Sequence, residues 1–206
     1  MNTVHMTVDG SQTRSALLEI ARAIVVHEGT ADFSLREVAR RAGLSPAAVY
    51  RHFASKDALL DAVCVIGFQK LCMYLLSATN EKTPRARLDA SGDAYLRFAL
   101  ENPEDYRAIF MTPSRGKKPG SPGEAFQLLM DRVRECMDAK VLKRGDVMEV
   151  SVSIWAHVHG LASLRLSGHL AEVGSDAQFK GFYRQSVDKL VSSFEVNGVH
   201  KQKGAS

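Results

Sequence analysis

The chain has 206 residues, 45% of them apolar, ample for a hydrophobic core in one or two domains. A formal charge of +4 and a pI near 9.0 are compatible with an acidic partner without specifying one. Three irregularly spaced cysteines, Cys64, Cys72 and Cys136, exclude a disulfide framework or zinc cluster and read as small buried hydrophobes of a reduced cytoplasmic protein. Cys64 and Cys72, eight apart, are the one pair a thiol-sensing reading would use. The leader, residues 1–10, is polar, lacks the apolar core of a signal peptide and is expected to be flexible. No run reaches the roughly eighteen apolar residues of a membrane span, so no membrane partner is expected.

The first helix is expected over about Gln12–His27, with Leu17, Ile20, Ala21, Ile24 and Val25 inward. Ser34 then stands as an N-cap, with Glu37 placed to complete a capping box. Leu35, Val38, Ala39 and Ala42 recur at helical spacing, and Gly43 suits the left-handed position past a helix end. Leu44 plugs the space between two helices. Ser45 caps the next helix and Pro46 takes its first position, where a missing N–H costs nothing. Val49 and Phe53 face inward, which leaves Ala47, Ala48, Tyr50, Arg51 and His52 on other faces. Ser55 opens a further helix through Lys56, Asp57, Leu59 and Leu60. Two short helices, a tight turn and a third helix form the grammar of a helix-turn-helix.

The residue types suit DNA. Small residues, Ala47 and Ala48, let a recognition helix approach base edges. Tyr50, Arg51, His52 and Lys56 offer donors to phosphates, and the helix starts at Ser34 and Ser45 offer backbone N–H groups. Between Phe33 and Lys56 stand Arg36, Arg40, Arg41, Arg51 and Lys56 against one acid, Glu37, a local balance of +4. Arg40 and Arg41 are open to two readings, phosphate contacts or solvated charge. His52 can equally be an ordinary surface histidine, and Tyr50 can pack its ring and expose only its hydroxyl.

The run LREVARRAGLSPAAVYRHFASKDALL, with the helix Arg14 to Glu28 before it and Gly29 at that helix's end, resembles the TetR/AcrR family of bacterial transcriptional regulators. Tyr50-x-His52-Phe53-x-x-Lys56 carries the likeness, which is strong over roughly residues 12–60. Asn102-Pro103-Glu104-x-Tyr106-Arg107-x-x-Phe110 and Trp155-x-x-x-His159-Gly160-Leu161 resemble the C-terminal domain of a TetR subgroup named for a Trp-His-Gly pattern.

The remainder reads as helix: Ser55 to about Ser77, Pro84–Glu101, Pro103–Met111, about Gly123–Lys140, Asp146–Leu170 and Asp176–Val196. The fourth helix is expected to turn Leu59, Val63, Ile66, Leu71 and Leu75 inward. Residues 112–122 form a Pro/Gly loop with a basic cluster at Arg115, Lys117 and Lys118. The eighth helix is apolar on nearly every side, which marks burial on several faces. Its small residues Ala156, Gly160, Ser163 and Ser167 allow another helix to come close, and the ninth helix offers Phe182, Tyr183, Val187, Leu190 and Phe194. Together they are expected to build a two-fold homodimer, the alternative being that both faces are spent within one monomer.

The expected fold is all-α, about nine helices: a helix-turn-helix DNA-binding domain at 11–58, a helical ligand-binding and dimerisation domain at 59–196, and flexible residues 1–10 and 197–206. The family resemblance implies a small-molecule pocket in the larger domain. Its candidates are Phe68, Cys72, Tyr95, Phe98, Phe110, Met130, Trp155 and His159, each of which can equally be core. His157 and His159, two apart on a helix, cannot share one ion, and no metal, cofactor or enzymatic motif is expected. The resemblance implies a repressor, with a double-stranded DNA operator and an apolar or aromatic effector as partners. The alternative is a DNA-binding regulator or adaptor without an inducer.

Overall fold

The structure is a computed structural model describing residues 10–28, 33–111 and 122–196. The expectations for leader residues 1–9, for Gly29, for the basic cluster and for tail residues 197–206 lie outside the described residues; Gly10 already belongs to a helix. Nine α-helices are present among those residues: α1 (Gly10–Glu28), α2 (Leu35–Ala42), α3 (Pro46–Tyr50), α4 (Lys56–Leu76), α5 (Pro84–Glu101), α6 (Pro103–Met111), α7 (Pro122–Asp138), α8 (Val147–Leu166) and α9 (Asp176–Ser193). Short 3₁₀ turns follow α4 at Ser77–Asn80 and precede α9 at Ala171–Val173. The one β feature among the described residues is an antiparallel bridge between Leu142 and Glu195. The fold is all-α.

The chain forms two compact units. One takes the described residues up to Phe68 together with those from Glu104 to Met111; the other takes Gln69–Pro103 and the residues from Pro122 onward. The division thus falls inside α4 and at the start of α6, and differs from the expected boundary at residue 58.

In the first unit Leu17, Ala21 and Ile24 of α1, Val38 of α2, Val49 and Phe53 around α3, and Leu59 and Val63 of α4 share one core, joined by Ala108 of α6. Gly67 lets α4 and α6 approach closely: a Cβ there would run into the Ile109 side chain. Asp105, nearly buried at the start of α6, accepts from Arg22 of α1 at 2.9 Å.

Ile66 is exposed rather than inward. α4 is apolar on more than one face, so its spacing does not choose which face packs. The same composition makes α4 long and apolar enough to cross a membrane by length and composition, contrary to the expectation that no segment would be. Leu59, Val63, Phe68 and Leu71 of that helix are buried in the protein.

In the second unit α5 packs against α7, α8 and α9. Tyr183, 1% exposed, donates from its hydroxyl to the Gly92 carbonyl at 2.8 Å. Arg85 gathers Asp89, Asp188 and the nearly buried Glu195. α7 stops at Asp138, and Lys140 then adopts a left-handed φ of 59°. α8 ends at Leu166 rather than Leu170: Gly168, at φ 83°, turns the chain, and its N–H closes on the Arg165 carbonyl. A full capping box starts α9, Ser175 with Gln178.

Candidate nucleic-acid interface

The local chemistry builds the helix-turn-helix much as the residues dictate. Ser34 and Ser45 cap α2 and α3, each side-chain oxygen accepting at 3.2 Å from the N–H three residues on. Gly43 takes the left-handed conformation, φ 66°, so α3 follows α2 after a tight turn. Val49 and Phe53 are 0% and 3% exposed and fix the orientation of this five-residue helix. Ala47, Tyr50 and Arg51 are consequently turned outward, and Ala48 and His52 are half-buried. Tyr50 is 53% exposed, which sets aside a packed ring. Lys56 opens α4 with its ammonium 5.7 Å from the Phe33 ring centroid, and Arg14 of α1 lies 4.9 Å from the Phe53 ring. Arg14 was not among the expected donors; its place on the Phe53 ring is a contact across 39 positions that no local pattern announces.

The electrostatics depart from the simple charge count. Glu37 does not complete the capping box. Its carboxylate instead accepts from Arg40 at 2.6 and 2.8 Å and from Arg41 at 2.7 Å. Arg41 also reaches Glu28 at 2.6 Å. Two arginines a turn ahead offer charged forks to the carboxylate, whereas the Ser34 N–H offers a single neutral donor. The hydrogen bonds from Arg40, then Arg41, hold the Glu37 pKa down at about 2. Arg36 and Arg51, by contrast, are exposed. Exposed cationic charge outside these ion pairs therefore sits around α3, at Arg36 and Arg51, more than along the end of α2.

The expected effector residues fall in both units. Phe68 and Phe110 belong to the first, where they meet edge to face at 5.9 Å, with Tyr106 4.8 Å from Phe110. Cys72, Tyr95, Phe98, Met130, Trp155 and His159 belong to the second. There the Tyr95 hydroxyl meets His159 Nδ1 at 2.9 Å, and Trp155 lies 5.9 Å from the His159 ring and 5.7 Å from Phe126. Burial lowers the His159 pKa and raises that of the Cys72 thiol. Phe98 is fully buried against Tyr74. His157 turns to Ser186 of α9 at 3.0 Å, so the two histidines take separate partners. Cys136 is buried and its thiol is pushed up to about 11 by that burial, which leaves it protonated and inert near neutral pH.

Of the expected interface residues, Tyr183 and Val187 are a correction: both are buried within their own unit, Tyr183 through its bond to Gly92. Ala156 and Ser167 are exposed, Ser163 is half-buried, and a Cβ at Gly160 would meet open space. Phe182 is exposed, while Leu190 and Phe194 are half-buried. α8 buries one face, through Val150, Ile154, Val158 and Ala162, and leaves a second apolar face open at Met148, Val152 and Leu164.

Two family models match the chain. One, described as bacterial regulatory proteins of the tetR family, covers residues 17–63. The other, described as a tetracyclin repressor-like C-terminal domain, covers residues 88–190, and its description does not mention a Trp-His-Gly pattern. Among curated relatives, the HTH-type transcriptional regulator BetI of Rhizobium meliloti is 36% identical over 109 residues, 51% of this chain and 54% of that protein. The HTH-type transcriptional activator FasR of Mycolicibacterium smegmatis is 33% identical over 100 residues, 48% of this chain and 46% of that one. The chain spans about half the length of the curated relatives it matches. A solved structure of a Rhodococcus protein of unknown function aligns with TM-score 0.78 at 26% identity, over 93% of this chain and all of that one.

Proposed function

The chain belongs to the tetR family of bacterial regulatory proteins, and on that premise we propose that it is a cytoplasmic, sequence-specific DNA-binding regulator that a small apolar or aromatic ligand releases from its operator. The observation that carries the DNA-binding reading is α3. Its inner side is pinned by Val49 and Phe53, and its outer side presents Ala47, Tyr50 and Arg51 beside Arg36 and Lys56. Small residues reach base edges while the donors around them take phosphates. Ser34, Ser45, Pro46, Ala48 and His52 complete the proposed contact set, the serines and Pro46 by setting the helix starts. Selection from a random duplex library tests it. Wild type enriches a defined sequence, Ala47→Ser shifts that sequence, and Lys56→Ala weakens binding to every duplex alike. A protein that enriches nothing, with Lys56→Ala indistinguishable from it, refutes the reading.

Two such heads reading half-sites one helical turn apart call for a two-fold dimer. The open apolar face of α8, through Met148, Val152, Ala156, Gly160 and Leu164, supports that dimer, with Phe182 of α9 as a further candidate. Gly160→Leu is expected to sediment as a monomer if this face pairs; an unchanged dimer refutes the assignment.

The effector reading rests on the cluster of Trp155, Phe126, Tyr95 and His159, where a polar pair sits beside aromatic rings. Trp155→Ala is expected to bind operator and to lose its response to inducer. A stable variant that responds as wild type refutes it. The full burial of Phe98 favours the second reading, a regulator or adaptor whose aromatic body is only core.

A further inference from the structure

A cavity of about 290 Å³ opens in the second unit, among the 3₁₀ turn at Ser77–Asn80, α5 and α9. That is close to the lower end of small-molecule pockets, about 300 Å³. None of the residues discussed above as effector contacts lines it. Its charged lining is Arg97 and Asp93 of α5, Lys180 and Arg184 of α9, and Glu81. Asp93 is already taken: Arg184 grips its carboxylate with contacts of 2.8 to 3.0 Å.

Arg97 differs from the other paired arginines of this unit. Arg85, Arg87, Arg132, Arg134, Arg165 and Arg184 each meet a carboxylate. Arg97 instead lies 5.1 Å from the Tyr74 ring centroid and, among the described residues, donates one bond, from Nη2 to Ser77 Oγ at 3.0 Å. Ser77 is itself fixed by donating to the Tyr74 carbonyl at 2.6 Å, and the Tyr74 hydroxyl by donating to Glu101 at 2.7 Å. A guanidinium held by stacking and one hydroxyl keeps its remaining donors in a planar fork, the geometry that receives a carboxylate. Lys180 lines the cavity from α9, one helical turn before Arg184, and Ala90 and Ala94 contribute apolar lining from α5.

We propose that this cleft binds a small organic carboxylate of a few carbons, its head on Arg97 and Lys180 and its stem against the alanines. The site is separate from the DNA-reading surface and does not depend on it.

Calorimetric titration of the full chain with butyrate, butyramide and inorganic phosphate, at constant ionic strength, tests it. Butyrate binds saturably and the neutral butyramide does not. Arg97→Gln and Lys180→Gln each weaken butyrate about tenfold, the size of one charge-assisted bond. Asp93→Asn removes one of the two carboxylates that line the cleft and frees Arg184, so butyrate binds several-fold tighter, a gain that no loss of folding would produce. Equal affinity for butyrate and butyramide, unchanged binding in Arg97→Gln, or weaker binding in Asp93→Asn overturns the proposal. Phosphate binding in preference to butyrate overturns the carboxylate assignment, and an absence of saturable binding overturns the site.

Discussion

The salt dependence of DNA binding distinguishes cations that meet phosphate from cations already committed to carboxylates. Each phosphate neutralised by Lys or Arg lowers log K by about 0.9 per decade of salt. Arg36, Arg51 and Lys56 surround α3, whereas Arg40 and Arg41 are held by Glu37 and Glu28 at 2.6 to 2.8 Å. With three phosphate contacts per head and two heads per operator, the slope is expected near −5, from about six contacts. Were Arg40 and Arg41 also engaged, about ten contacts would give a slope near −9. Fluorescence anisotropy of a labelled duplex across a potassium chloride series reads this directly. Lys56→Ala removes one contact from each head and should flatten the slope by about 2. The double variant Arg40→Ala, Arg41→Ala should leave it nearly unchanged. Glu37→Gln releases Arg40, while Arg41 keeps its pairing with Glu28, and should steepen the slope and tighten binding to unrelated duplexes. A wild-type slope near −9 that collapses in the Arg40, Arg41 double variant would show that Glu37 does not withhold these charges.

Three further outcomes follow from the packing and the electrostatics. Tyr183→Phe removes the buried bond to the Gly92 carbonyl and should cost about 1 kcal/mol in urea unfolding; a change within error would mean that the carbonyl finds water. Gly67→Ala places a methyl group against Ile109 and so strains the α4–α6 approach. A loss of about 1–3 kcal/mol is expected, and undiminished stability would show that α6 moves aside freely. Burial keeps the His159 imidazole neutral below its ordinary pKa of 6.5, so the unfolded chain takes up a proton that the folded chain resists. Stability should therefore fall as pH drops below about 6.5, through the lowered folded pKa. His159→Gln should lose that component, and an unchanged pH profile in the variant refutes the assignment.

The parts of the fold that were legible in the sequence are those governed by contacts a few residues long. Ser34, Ser45, Pro46 and Gly43 set helix starts and a left-handed turn by their own chemistry, and the spacing of Val49 and Phe53 then orients α3. Legibility failed where two partners compete or where the partner is distant. Glu37 sits at capping-box spacing, but Arg40 and Arg41 are the stronger donors and take it. The bond from Arg22 to Asp105 joins positions 83 apart, and neither residue's neighbours announce it. In α4 and α8 the apolar surface exceeds one stripe. Periodicity then reports that a second face exists without choosing which face packs: Ile66, expected inward, is exposed, and Val152 stands open.

The Arg22–Asp105 bond also bears on how a signal would travel. Among the described residues the chain passes between its two units twice, inside α4 and at the start of α6. The chain just before the second passage, at Asn102, is tightly held. Asn102 closes α5 with its N–H on the Phe98 carbonyl at 2.9 Å, and its side chain donates to the Tyr74 hydroxyl at 3.0 Å. Two residues beyond Pro103, Asp105 accepts from Arg22 of α1. A displacement of the end of α5 would thus reach α1 through three residues of chain and one part-buried charge-assisted bond, a route distinct from the passage inside α4. Coupling of the usual size, about 1–3 kcal/mol, could be shared between the two passages. Asp105→Asn cuts only the second. If α4 alone carries the signal, this variant keeps the full ratio of operator affinities with and without inducer, once its own stability loss is accounted for. If the α6 passage carries a share, that ratio shrinks while operator binding in the absence of inducer is retained.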